Sequence, residues 1–236
     1  MASLSNGPDA PDGPSPPRPS ATGTGQTLVI GELARRQLGR LSSSQVGAIE
    51  GLLETTSWAL SHVYQVRRLA TILYDALRPQ HGCGDDEGLL LEAAALLHDV
   101  GYPVDPPRHH KVSARIIRAN LGAPFTPKQV ERIALLARYH RKALPALRHE
   151  RFRLLSARDQ RLVVWLAGIL RVADGLDRAH DASVRSLSVK VEEGRLVIEA
   201  SGPTLLASSE SLDGARAKRN LLEKAVGMPV VLRPQT

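Results

Sequence analysis

From Ser44 to about Leu77, apolar residues return every three or four positions, the spacing of one helix face. In the second half of that run Trp58, His62, Val66, Leu69 and Leu73 share the face, so an imidazole lies inside an apolar stripe. Arg78-Pro79-Gln80-His81-Gly82 stops the helix, because Pro and Gly both interrupt it. The next run, Leu89 to Leu97, is apolar almost all round, which predicts a helix buried on every side. It ends in adjacent His98 and Asp99, with Gly101 close behind. Pro103, Pro106 and Pro107 predict an extended loop. A third helix follows in Arg108 to Ile117, with His109 on the face of Val112 and Ile116 and His110 on that of Ile117. Thr126 caps a fourth helix with Pro127 at its first position, and Ile133, Leu136 and His140 share one face. Residues 143–155 read as a loop punctuated by Arg148, Arg151 and Arg153. Ser156 caps a fifth helix whose stripe of Val163, Leu166, Ala167 and Leu170 runs on to Asp174.

After Asp181 the period changes to alternation. Leu187, Val189 and Val191 predict a strand, Glu193-Gly194 a turn and Leu196 to Glu199 the return strand. Residues 209–226 read as an amphipathic helix and Met228 to Leu232 as a last short strand. The expected fold is mainly α with a small α/β extension: a helical domain over residues 26–182 and an extension over 183–236 packed on it. Residues 1–25 carry Pro8, Pro11, Pro14, Pro16, Pro17 and Pro19 among Gly and Ser, a composition expected to stay disordered. A short helix is a further expectation somewhere in Thr27 to Arg40.

Composition narrows the partners. Aromatics make up 3% of the 236 residues, so the core must be built from Leu, Ala, Val and Ile. An excess of 31 Lys and Arg over 24 Asp and Glu gives a formal charge of +7, which favours anionic ligands. Nucleic acid is disfavoured: no recognition pattern stands out, and few aromatics are present to stack bases. With Cys83 as the single cysteine, an internal disulfide or a cysteine zinc site is excluded. No apolar run approaches the roughly 18–20 residues of a membrane span, and the N-terminus lacks a signal-peptide pattern, so no membrane and a cytoplasmic location are expected.

The chemistry sits where polar residues interrupt apolar faces. His62, His98-Asp99, His140 and Asp174 lie on four different helices, and each alone has a plainer reading. His62 can be a hydrogen-bonded core histidine, His98 and Asp99 a core pair, His109 and His110 part of a solvated basic face, and Asp174 the partner of Arg178. Together they put several costly polar groups into one core, and one metal site would satisfy them all, since neutral imidazole and ionised carboxylate are ordinary ligands of divalent metals.

The segments SHVYQVRRLATILYDAL, LLEAAALLHDVGYPVD, HHKVSARIIRANL, IALLARYHRKALP and LAGILRVADGLDRAH occur in an order that resembles the HD superfamily of metal-dependent phosphohydrolases. They are most similar to the stand-alone form of the C-terminal HD domain of the exopolyphosphatase/guanosine pentaphosphate phosphatase family, from about residue 45 through the α/β tail. The resemblance implies an HD-type helical domain. It implies His62, His98, Asp99 and Asp174 as ligands of a divalent ion (Mn, Mg, Fe, Ni or Zn), with His109 and His140 supplying a second ion or a proton to the leaving group; His110 competes with His109. Arg108, Lys111, Arg141 and Lys142 would then stabilise charge on a phosphoryl group. Full-length family members carry an actin-like half with Gly-rich phosphate loops and a catalytic carboxylate, and nothing in residues 1–44 matches it. The implied function is metal-dependent hydrolysis of a phosphate ester, nucleotide or polyphosphate-like anion. The alternative is a non-catalytic regulatory or binding module for polyphosphate, a nucleotide second messenger or a partner protein. A second copy of the chain is a further candidate partner.

Overall fold

The structure is a computed structural model and describes residues 39–54, 60–203 and 210–235. The Pro-rich segment, the expected short helix before residue 39 and Trp58 lie outside the described residues. Among these residues the elements are α1 (Ser43–Leu53), α2 (Leu60–Ala76), α3 (Arg78–His81), α4 (Asp85–Leu97), α5 (His109–Asn120), α6 (Pro127–Tyr139), α7 (Glu150–Arg153), α8 (Ala157–Gly175), β1 (Ser186–Glu192), β2 (Arg195–Ser201), α9 (Glu210–Lys218), α10 (Asn220–Val226) and β3 (Val230–Pro234). The fold is mainly α with a small three-stranded sheet at the C-terminal end.

Local chemistry sets most helix ends. The Ser42, Thr126 and Ser156 hydroxyls accept from the backbone N–H groups of Gln45, Gln129 and Asp159, satisfying donors that each first turn leaves open. Gly82 ends α3 at φ 62°, a left-handed conformation that costs glycine little. In α4 every residue from Leu90 to Leu97 is buried. Glu92, the one carboxylate in that buried run, accepts from Arg40 Nη1 at 2.9 Å, with Arg67 Nη1 at 3.9 Å. That pairing answers the cost of burying a charge.

Helix α8 is the hub. It packs on α2, α4 and α6 on one side and on α9 and α10 on the other. Two glycines on one face of α8 permit the second approach. A Cβ on Gly168 would lie 3.0 Å from Leu222 backbone atoms, and one on Gly175 would lie 2.6 Å from Ala215 Cα. The sheet order is β1-β2-β3, with β1 and β2 antiparallel and β2 and β3 parallel. The β1–β2 turn holds Glu193 at φ 48° and Gly194 at φ 73°, the paired positive φ of a tight hairpin.

Three local expectations are corrected. The proline-rich stretch after Gly101 is not extended: it turns tightly, and Pro106–Arg108 forms one turn of 3-10 helix in which Asp105 accepts from the Arg108 N–H. The stretch 143–155 contains α7, a four-residue helix that buries Phe152. The single helix expected over 209–226 is two, α9 and α10, parted at Arg219.

Candidate metal centre

The polar residues on the four apolar faces meet. His62 projects from α2, His98 and Asp99 follow α4, His109 opens α5, His140 follows α6 and Asp174 sits in the last turn of α8. All are buried, His98 fully, and Asp99 and Asp174 are the most open at 8% exposure. His62, His98 and Asp174 present ligand atoms within 4.8 Å of one another, and so do His98, Asp99 and His140. Asp99 stands between the two groups. Its Oδ2 is 4.0 Å from His62 Nε2, and its Oδ1 is 3.1 Å from His109 Nε2 and 3.6 Å from His140 Nε2.

The way each ring is held determines which nitrogen is free. His98 Nδ1 donates to the Ala95 carbonyl at 2.7 Å, His140 Nδ1 to the Ala137 carbonyl at 2.8 Å and His109 Nδ1 to the Pro106 carbonyl at 2.7 Å. A carbonyl can only accept, so the proton is on Nδ1 and the Nε2 lone pair faces the cluster. His62 Nδ1 contacts Asp177 Oδ2 at 2.8 Å, while Asp177 Oδ1 accepts from the Ala182 N–H at 2.9 Å. An outer imidazole nitrogen bound to a carbonyl or carboxylate is the usual support of a metal-ligating histidine. His62 Nε2, His98 Nε2 and Asp99 Oδ1 are buried with no hydrogen-bond partner among the described residues. His109 Nε2 and His140 Nε2 face each other at 3.1 Å. With Nδ1 of both rings donating, only a proton or another cation can sit between them.

The electrostatics favour the other cation. Burial holds His140 well below the ordinary imidazole range, and burial lowers His98 as well. Burial would also lower His62, but Asp174, Asp177 and Asp99 outweigh it and raise this imidazole to about 9. Against burial, the His98, His109 and His140 rings hold Asp99 well below the usual carboxylate range. Against burial, Lys218, His62, His140 and His98 do the same for Asp174. The donor set is therefore ionised carboxylate with neutral imidazole at His98 and His140, and it fits a divalent ion that would displace the proton His62 holds without metal.

The other expected residues are placed as follows. His109 rather than His110 faces Asp99; His110 Nδ1 is buried without a hydrogen-bond partner among the described residues. Arg141 Nη1 lies 3.2 Å from His109 Nδ1, against the imidazole. Lys142 is exposed at φ 54°. Arg108 and Lys111 do not join the cluster. With Asp105, Arg115, Arg118 and Arg138 they line a separate cleft of about 490 Å³. At about 100° per residue, the three cations on α5, Lys111, Arg115 and Arg118, occupy a sector roughly 150° round the helix from His109. Asp174 pairs not with Arg178 but with Lys218 of α9, whose Nζ is 2.5 Å from Asp174 Oδ2.

Three contributors escaped the sequence reading. The support given by Asp177 had a signal, since Asp177 falls one turn past Asp174. His180 stacks on His62 with ring centroids 3.9 Å apart, and Lys218 arrives from 44 positions away; neither carries a local signature.

The family model for Ppx/GppA phosphatase, domain III matches residues 47–209. The chain belongs to the Ppx/GppA phosphatase family. Every imidazole and carboxylate of the cluster lies within the matched stretch of this Ppx/GppA domain, whereas Lys218 lies beyond it. A search of the curated proteins finds no match to the chain. No helix among the described residues is long and apolar enough to cross a membrane.

Proposed function

We propose that this Ppx/GppA domain is a metal-dependent phosphohydrolase of HD type, acting on a phosphate ester, nucleotide or polyphosphate-like anion. One observation carries the reading: imidazole Nε2 atoms and two carboxylates converge in a buried space, with each Nδ1 already committed elsewhere. His62, His98, Asp99 and Asp174 would hold one divalent ion, and Asp99, His109 and His140 a second. Such an ion polarises a phosphoryl oxygen and acidifies water. The mixed imidazole and carboxylate set suits Mn, Fe, Ni or Zn better than Mg. Asp99, shared between the two groups, would fix their relative position. Arg141, against the His109 ring, is placed to offset negative charge developing on a phosphoryl group. Where a second ion is absent, His109 or His140 would supply the proton to the leaving oxygen.

The test is metal content of protein purified without chelator, beside a His98→Ala/Asp99→Ala double variant, followed by a phosphoester screen with Mn²⁺. Near-stoichiometric metal lost in the variant, together with turnover lost in Asp99→Ala, supports the reading. Undiminished hydrolysis in Asp99→Ala refutes it.

The cleft on the far side of α5 favours a second reading, a module that binds an anion without turning it over. Five cations and one carboxylate, Asp105, line it. Lys111 and Arg115 form no ion pair within 4.0 Å among the described residues. Salt-sensitive binding of tripolyphosphate without hydrolysis, lost on Lys111→Ala/Arg115→Ala, would favour this reading.

A further inference from the structure

The two oxygens of Asp174 face different cations. Oδ1 lies 3.6 Å from His62 Nε2, on the side of the imidazoles. Oδ2 accepts from Lys218 Nζ at 2.5 Å. Lys218 ends α9, and the packing of that helix fixes its place. The Lys218 carbonyl accepts from Arg171 Nε of α8 at 3.3 Å, and α9 approaches α8 so closely that a Cβ on Gly175 would meet Ala215 Cα at 2.6 Å. The pair is largely withdrawn from water, with side-chain exposures of 18% for Lys218 and 11% for Asp174. Apart from the cost of burial, Lys218 is the strongest influence on the Asp174 carboxyl, and it favours the ionised form.

We propose that Lys218 is the built-in counter-ion of Asp174, and that by competing for this carboxylate it sets the affinity of the centre for a divalent cation. The inference rests on the metal-centre reading above and assigns a positioning role to a residue outside the matched family stretch. The physical reasoning is charge balance. An ammonium in contact with a poorly solvated carboxylate neutralises the charge that an incoming cation would otherwise meet. Removing it leaves Asp174 without that compensation. The metal-free protein is then destabilised, and cation binding is strengthened because it restores the balance. A lysine that merely braced α9 against α8 would act differently: its loss would lower stability and cation affinity together.

The experiment uses the full chain and Mn²⁺ alone, with calorimetric titration and thermal melts of wild type, Lys218→Met and Lys218→Arg. Methionine keeps the length of the stem without its charge; arginine keeps the charge. The expected result is Mn²⁺ binding at least about threefold tighter in Lys218→Met, which corresponds to about 0.65 kcal/mol. The same variant should have a lower melting temperature without metal and a larger gain on adding Mn²⁺. Lys218→Arg should stay near wild type. Equal or weaker binding in Lys218→Met, with wild type binding normally, overturns this inference alone. Absence of binding in both proteins overturns the metal-centre reading and this inference with it. If Lys218→Met does not fold, Lys218→Gln gives the same comparison.

Discussion

Replacing Gly101 by alanine tests how the centre is assembled. Gly101 lies two residues after Asp99, in the turn that packs on the helix carrying His109. A Cβ there would stand 2.4 Å from the Ser113 backbone N, 2.7 Å from Val112 Cβ and 2.8 Å from the His109 carbonyl oxygen. Two of these atoms are backbone and the third is the rigid base of a branched side chain, so none can swing aside. Ordinary contact begins near 3.4 Å, so α5 and the turn must separate by about 1 Å. The separation also strains the bond in which the Gly101 N–H donates to Ser113 Oγ at 2.9 Å. Overpacking of a well-filled site costs about 1–3 kcal/mol, and a hydrogen bond about 1 kcal/mol. Gly101→Ala should therefore lose roughly 2–4 kcal/mol of stability. It should also bind Mn²⁺ more weakly, because Asp99 and His109 lie on the two surfaces forced apart. Urea unfolding monitored by circular dichroism gives the first quantity and calorimetric titration the second. A variant within about 0.5 kcal/mol of wild type and with unchanged Mn²⁺ affinity would refute the packing account.

Other expected outcomes follow from the same geometry. Asp177→Ala removes the acceptor behind His62 and should weaken Mn²⁺ binding about 10- to 100-fold in the same titration. Gly175→Val should force α9 off α8 and lower stability by about 1–3 kcal/mol in urea melts, with little loss of helix signal in the native baseline. Metal-free protein should lose stability between pH 7 and pH 5. Burial depresses His98 and His140 in the folded state, so below about 6.5 the unfolded chain binds more protons. His62, raised to about 9, acts at the other end: its contribution is complete below about 6.5 and is lost as pH rises through 9. Flat stability from pH 7 to pH 5 would contradict this balance. Adding Mn²⁺ at about 100 times its dissociation constant should raise stability by about 2.7 kcal/mol, and a chelator should reverse the gain.

What could be read from the chain divides by distance. Ser156 and Thr126 announce their helices because capping is settled within four residues. Glu193-Gly194 announces its hairpin for the same reason. The burial of α4 was legible because its run from Leu89 to Leu97 is apolar almost all round, and the imidazoles and carboxylates were visible as interruptions of apolar stripes. Short elements were not. The 3-10 turn at Pro106–Arg108 rests on the Asp105 side chain accepting from the Arg108 N–H, which the prolines alone do not announce, and nothing around Arg219 in the sequence marks the break there. The parallel pairing of β3 with β2 is likewise a matter of the whole fold, since alternation marks a strand but not its neighbour. Lys218 was beyond reach because nothing around it in the sequence marks its distant partner, Asp174.

His98, His109 and His140 each bond the carbonyl three residues earlier, at a helix end or in the preceding turn. The acceptor is therefore part of the same short segment as the ring, and orientation does not depend on a distant partner. Rings held in this way have little rotational freedom left to lose when they coordinate. The entropic cost of gathering ligands is met during folding rather than during binding. Capture at this centre should thus be limited by stripping water and protons from the ligands, not by ordering the protein.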